Sequence, residues 1–395
     1  MRKVPELRFA CFDGEWEEKK IRTLGSVITG TTPKTSDASN YNGKYLFASP
    51  SDMYGQRYIT NTDKTLSEQG FKKSRLLPKG SSLFVSIGAT VGKMAQAPID
   101  MATNQQINSV VSNNNYDQDY VFTLLNYNSD KIIKIVSTQT MPIINKTEFS
   151  NTKLVTSTNL VEQEKIGDLF KNIDYLIEIQ EGKVAKMRDY KKSMVQKMFP
   201  KKDKLVPDFR FDGFDGEWKT VKFKEFLKEY KVKTKNENEL VMLSSTNNGM
   251  TYRERNVSVA TNAGYKIIYK NDLVLSPQNL WLGNINFNNL EDGIVSPSYY
   301  TFKINELEPN FIEPQIRTKR MLENYKNASS QGASVVRRNL EINEFYEIKL
   351  SIPSIEEQEK IGNFFKNLDG QIEAEEKLLE SYKMMKKSLL QKMFV

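Results

Sequence analysis

The chain contains itself twice, and that duplication constrains its fold more than any single motif. VPELRF at 4–9 recurs as VPDFRF at 206–211, and FDGEW at 12–16 recurs unchanged at 214–218, both offset by 202 residues. A longer block, 161–199, aligns without a gap on 356–394 at an offset of 195 and shares EQEKIG, FKN, KKS and QKMF. The stretches between, 18–155 and 220–350, share little beyond faint punctuation such as KGSSLFVS at 79–86 against KNDLVLS at 270–276. A common frame with a divergent working surface is the expectation, in two domains each long enough to bury a core.

The repeated block reads as a long helix. Asn159-x-x-Glu162 and Ser354-x-x-Glu357 are capping-box patterns at its two starts, and Pro353 blocks an earlier start in the second copy. Apolar residues follow a 3.5-residue repeat: Ile166, Phe170, Ile173, Ile177, Val184, Met187, Met194 and Met198, interrupted by Gln180 and Lys191. The second copy gives Ile361, Phe365, Leu368, Ile372, Leu379, Tyr382, Leu389 and Met393, interrupted by Glu375 and Lys386. Such heptads predict a coiled coil of helices about 55 Å long. Each helix begins acidic and ends basic, so antiparallel packing sets acid against base. The expected register pairs Lys191 with Glu375 and Gln180 with Lys386. Packing of each helix on its own domain alone is the simpler alternative.

Composition closes off much chemistry. The 395 residues contain no histidine and one cysteine, Cys11. Histidine-dependent triads and bases are excluded, zinc has almost no ligands, and no internal disulfide can form, which suits the cytoplasm. No apolar run is long enough for a membrane span, and the start of the chain has no signal-peptide core. GATVGKM at 88–94 is one residue short of a phosphate loop and has methionine where a hydroxyl is needed, so strand-turn-strand is the reading. Asp208 with Glu217 and Lys219 resembles a nuclease set, but the first copy lacks the lysine. No Pro-Pro pair exists for a base-methylating motif.

What remains is a binding surface on a chain of net charge +8, which favours a polyanion. The first divergent region offers Arg57, Lys72, Lys73, Arg75, Lys93, Asn104, Gln105 and Gln106. The second offers Asn247, Asn248, Arg253, Arg255, Gln278, Asn279, Trp281, Arg317, Arg320, Arg337 and Arg338. Arginine, asparagine and glutamine read base edges, whereas lysine mostly holds phosphates.

Two divergent domains, each followed by a repeated helix opening on EQEKIG and closing on QKMF, resemble the specificity subunits of type I restriction-modification enzymes. VPELRF, FDGEW, GATVGK and the GIVSP stretch at 293–297 fit as well. The resemblance implies an α+β protein: two target-recognition domains of mixed α/β structure, separated by a long antiparallel two-helix coiled coil, in a pseudo-twofold internal repeat. The expected segments are 1–158, 159–200, 201–353 and 354–395. Each domain would read half of a split double-stranded DNA site, with the helices setting the spacer. Two modification and two restriction subunits would bring S-adenosylmethionine, ATP and magnesium, the chain itself being non-catalytic. Antiparallel helices also bring the final QKMF back toward VPELRF.

Overall fold

The computed structural model describes residues 3–134, 142–253, 261–334 and 337–395, with side chains at all of these except 332–334 and 337. Arg255 lies outside the described residues, and so does the side chain of Arg337. Two compact units result. One joins the residues up to Lys183 with Glu375–Val395, and the other is Val184–Ala374. The long helices, Leu160–Met198 and Ile355–Met393, are therefore shared out. Each unit holds one domain, the first part of the helix that follows it, and the last part of the other helix.

In the first unit, β1 (Glu17–Lys20) leads into β2 (Gly25–Thr29), β3 (Tyr41–Ala48) and β4 (Lys64–Leu66). After them come β5 (Ser82–Val85), β6 (Met94–Gln96), β7 (Ala102–Thr103), β8 (Ile107–Ser112) and β9 (Lys153–Thr156). An antiparallel sheet runs β2-β8-β5-β6, and a smaller one runs β4-β3-β7 with β3 and β7 parallel. Every residue of β5 is buried, which accounts for its unbroken Ser-Leu-Phe-Val run: both faces are covered. β1 pairs with β9 and ties the domain's start to the strand that feeds the long helix.

The second unit contains β10 (Lys219–Lys222), β11 (Leu227–Glu229), β12 (Val241–Thr246), β13 (Gly249–Tyr252), β14 (Lys266–Ile268) and β15 (Leu273–Leu275). It continues with β16 (Ile285–Phe287), β17 (Gly293–Val295), β18 (Tyr300–Ile304), β19 (Ser329–Ser334), β20 (Arg337–Leu340) and β21 (Lys349–Ile352). Its main sheet runs β11-β18-β15-β16, β12 pairs parallel with β17, and β10 pairs with β21. The four-stranded sheet, the tying strand pair and the parallel pair repeat the first unit's topology, and the second unit adds β14 and the β19-β20 hairpin; the expected common frame is present although the sequences have parted.

The repeated motifs converge on one cluster per unit. In the first, Arg8 clasps Glu162 through Nε (2.5 Å) and Nη2 (3.0 Å) and donates to the Gly14 carbonyl at 2.6 Å. In the second, Arg210 holds Glu357 at 2.7 Å from both nitrogens and donates to Gly216 O at 2.7 Å. Gly14 and Gly216 turn that carbonyl inward at φ of +78° and +74°, a region that favours glycine. Capping is thus only half a box. Asn159 and Ser354 accept from the amides of Glu162 and Glu357, but the glutamates turn away to the arginines instead of reaching back. The neighbouring glutamines join helix to domain: Gln163 accepts from Asp117 N and donates to Ser157 O, while Gln358 accepts from Glu308 N and donates to Pro353 O.

QKMF closes each cluster from the other helix. Phe394 lies against Trp16, Tyr120, Tyr127 and Phe170 in the first unit, and Phe199 against Trp218, Phe311 and Phe365 in the second. Leu7 N donates to Lys392 O, and Phe209 N to Lys197 O, both at 2.8 Å. The expected return of QKMF to VPELRF is met.

The helices do pack antiparallel within each unit, but not in the expected register. Gln180 donates to both the side chain (2.6 Å) and the carbonyl (2.9 Å) of Glu375, the position equivalent to itself in the repeat. Lys191 pairs with Asp369 in the second unit, and Lys386 with Asp174 in the first. In each case the partner lies six residues before the expected one. The reason is that part of the heptad pattern serves another purpose. Ile166, Phe170 and Ile173 pack into the domain core beside Trp16, Tyr120 and Phe149 as well as against the returning Met393 and Phe394, so their spacing alone does not set the register between helices. Polar pairs fix it, and a buried amide on a carboxylate is a strong determinant of register.

Candidate nucleic-acid interface

In the first unit the candidate readers gather where three connections meet: the chain after β2, the β5–β6 turn and the β7–β8 turn. Thr31 N donates to Thr103 O at 3.0 Å and Gly30 N to Ile107 O at 3.1 Å. A Cβ on Gly30 would come within 2.1 Å of Asn104 O, so only glycine lets the two loops touch. Thr32 Oγ1 donates to Gln105 Oε1 at 2.6 Å. Asn104 is locked to Gln106 by paired bonds at 2.9 and 3.0 Å, and Ser86 N donates to Gln106 O at 2.7 Å. Arg75 Nη1 reaches Thr29 O at 2.8 Å. Arg75, Asn104, Gln105 and Gln106 therefore share one surface.

The other first-unit candidates stand apart. Lys72 pairs with Glu68 one turn back, Lys73 bonds Asn40 at 2.9 Å, and Lys93 reaches Met53 O at 3.3 Å. The GATVGK segment around Lys93 is the expected strand-turn-strand between β5 and β6.

Arg57 requires a correction. Its side chain is 2% exposed, with Nε on Gln96 (2.8 Å), Nη2 on Asp119 (2.9 Å), Nη1 on Asp174 (3.0 Å), and the guanidinium over the Phe122 ring. Every face is engaged, so Arg57 ties the β3–β4 region to the long helix instead of facing a ligand. Burial pushes the Asp119 carboxyl up, but Lys171, Arg57 and Gln96 outweigh it and hold it below the ordinary range.

The second unit builds the same corner from different residues. A cleft of about 490 Å³ opens between the chain after β11, the β15–β16 loop and the β17–β18 turn. Lys231, Lys233, Lys266 and Arg338 give it a cationic lining against the single acid Glu229, with Gln278 and Ser298 at its edge. Lys266 is 7% exposed and bonds Tyr299 O beside the Tyr300 ring; burial lowers its ammonium below the usual lysine value. Arg338 is fixed by Ser329 through Nε (2.9 Å) and Nη2 (2.7 Å), and its amide donates to Gln278 O at 3.3 Å.

The β15–β16 loop also carries Asn279, whose backbone carbonyl accepts from Leu282 N and Asn284 N, and half-buried Trp281. Asn247 and Asn248 are exposed at the β12–β13 turn, where Arg317 donates to Asn247 O. Arg253 is exposed just past β13, and Arg320 donates to Pro200 O at 3.3 Å. Residue types alone did not pick out Lys231, Lys233, Lys266 and Ser298. The alternation of Lys231 and Lys233 on the chain leaving β11 was the available signal.

The corner offers donors and acceptors on short loops above a rigid sheet, cationic around and polar within. It suits recognition of an anionic, hydrogen-bonding partner. Comparisons with known proteins point the same way. The model of the type I restriction modification DNA specificity domain matches residues 13–187 and again 215–383. The specificity subunit of the type I restriction enzyme HindI from Haemophilus influenzae is 30% identical over 163 residues, 39% of this chain and 35% of that protein. The MjaIX specificity subunit of Methanocaldococcus jannaschii is 26% identical over 170 residues, 42% and 39% of the two. These matches span little more than a third of either relative.

Among solved structures, the S subunit of a type I system from M. genitalium aligns over 99% of both chains with a TM-score of 0.67 at 15% identity. A chain from a study of type I R-M complex assembly and conformational transition aligns over 96% and 97%, with a TM-score of 0.51 at 14% identity. At such identities these likenesses bear on the fold. With the domain model matched twice across most of its length, the chain belongs to the family of type I restriction-modification DNA specificity domains.

Proposed function

We propose that the chain is the DNA-reading subunit of a type I restriction-modification complex and carries no catalytic set of its own. Each domain reads one half of a split duplex site through its loop corner. The paired helices hold the halves at a fixed spacing and offer a surface for two modification subunits, which two restriction subunits join. S-adenosylmethionine, ATP and magnesium are bound by those partners, and the complex works where the DNA is, in the cytoplasm. Among the described residues no helix is long and apolar enough to cross a membrane.

The observation that carries this reading is the shared topology of two sheets whose loop corners hold different residues: Thr32, Arg75, Asn104 and Gln105 in one, Lys231, Lys233, Gln278 and Arg338 in the other. A frame kept twice with its reading edge changed is what two unlike half-sites require. Mapping methylated bases in a host genome, with the gene intact and deleted, tests it. A split motif with a constant gap, lost on deletion, is expected; a continuous motif, or none, would refute the reading.

A further inference from the structure

Away from the loop corner, the second unit has a groove of about 780 Å³ between the last turns of the first long helix, the helices Pro309–Ile316 and Lys319–Asn327, and β21. Its rim carries Lys192, Lys202, Arg317, Lys319 and Arg320, and Glu323 is the one acid lining it. Lys192, Lys202 and Lys319 meet no carboxylate among the described residues, and Arg317 and Arg320 donate to the carbonyl oxygens of Asn247 and Pro200. Burial depresses the Arg317 guanidinium from its usual value, with Glu313 offsetting part of that.

The charges are also placed against the local field. Lys319 and Arg320 occupy the first turn of the nine-residue helix, with Arg317 just before it and no acid in that turn. Cations at a helix N-terminus oppose the positive end of the helix dipole and are unfavourable there. That cost would be offset by an anion lying in the groove.

We propose that this groove holds the sugar-phosphate backbone of duplex DNA beside the base-reading corner, with Lys192, Lys202 and Lys319 as phosphate contacts that position the duplex without reading its sequence. The inference rests on the DNA reading above. Continuity favours a duplex over an acidic protein segment: Arg317 joins the groove to the β12–β13 turn that carries Asn247 and Asn248. Lysine ammoniums on flexible stems also suit phosphates as point charges.

The test uses the full chain, a duplex of random sequence and a series of salt concentrations, comparing the wild type with the triple variant Lys192→Gln, Lys202→Gln, Lys319→Gln. Each lost phosphate contact removes about 0.9 from the slope of log affinity against log salt, so the slope should fall by about 2–3. The variant's thermal unfolding, and its ranking of different DNA sequences, should match the wild type. An unchanged slope overturns the proposal. So does an unchanged slope with lost capture of a modification subunit, which would make the groove a protein dock. A wild type with no salt-dependent affinity for duplex overturns both this inference and the DNA reading. A reduced slope in a chain that ranks all sequences equally keeps the groove and refutes the reading.

Discussion

Glu162 and Glu357 show how equivalent residues carry unequal loads. Both are almost wholly buried and clasped by an arginine. Glu162 also accepts from Trp16 Nε1 at 3.2 Å and from the Ser157 hydroxyl at 2.6 Å, whereas Trp218 Nε1 has no hydrogen-bond partner among the described residues. Breaking a buried pair by removing one partner costs about 3–5 kcal/mol. Glu162→Ala should sit at the upper end of that range and Glu357→Ala at the lower, as read by hydrogen exchange in each unit; equal losses would deny Trp16 and Ser157 their share. Glu375 sets a pH dependence. Gln180 first, and then Lys183, hold its carboxyl below the ordinary value. A depressed carboxyl contributes stability above its unfolded pKa, near 4.3, and loses it as pH falls through the lower folded value. Amide protection around 180 and 375 should be level from about pH 7 to 5 and decline below about 4. Glu375→Gln should flatten that decline, and a decline that persists in the variant would place its origin elsewhere.

At the scale of elements, the long helices carry glycines of two kinds. Gly167 presses on the start of the helix Gln118–Tyr127, where a Cβ would lie 2.4 Å from Asp117 Oδ1 and 2.7 Å from Tyr120 N. Gly362, its equivalent, meets Phe311 N at 3.0 Å. A Cβ at Gly182 or Gly370 would meet nothing within 4 Å beyond the helix's own backbone among the described residues. Alanine at 182 or 370 should stabilise by up to about 1 kcal/mol, from helix propensity alone. At 167 that gain is overwhelmed by the clash, so thermal unfolding should move in opposite directions along one helix. Helix existence, length, starts and antiparallel sense were all legible in the sequence, because heptads, caps and charge order are local signals. Register was not. The apolar spacing of Ile166, Phe170 and Ile173 looks the same whether those residues face a partner helix or the domain beneath, and only the fold says which. Arg57 was misread for a related reason, since nothing local distinguishes an arginine plugged between Asp119 and Asp174 from one on the surface. The loop corner was half legible: Asn104, Gln105, Gln278 and Arg338 stood out by type and Lys231 with Lys233 only by their alternation, while Lys266 became visible only when β14 was brought beside the chain leaving β11.

At the scale of the molecule, each unit is completed by the end of a helix that began in the other, since Phe394 seals the first core and Phe199 the second. Both are nearly buried, and Phe→Ala at such sites costs about 3–5 kcal/mol. Phe394→Ala should therefore loosen the first unit, some 380 residues back along the chain by the span from Trp16, and leave protection in the second unaltered. On the proposed reading, the same construction would let the helices set the gap in the recognised site. Deleting one heptad from both helices should shorten the preferred spacer, and an unchanged spacer would count against that role. The central claim is that two separable heads read two separate half-sites. It is tested most directly by exchanging residues 18–155 for those of another family member and mapping methylated bases in the host. The account predicts a motif with one half replaced and the other half and the spacing retained; a motif changed in both halves, or in neither, would contradict it.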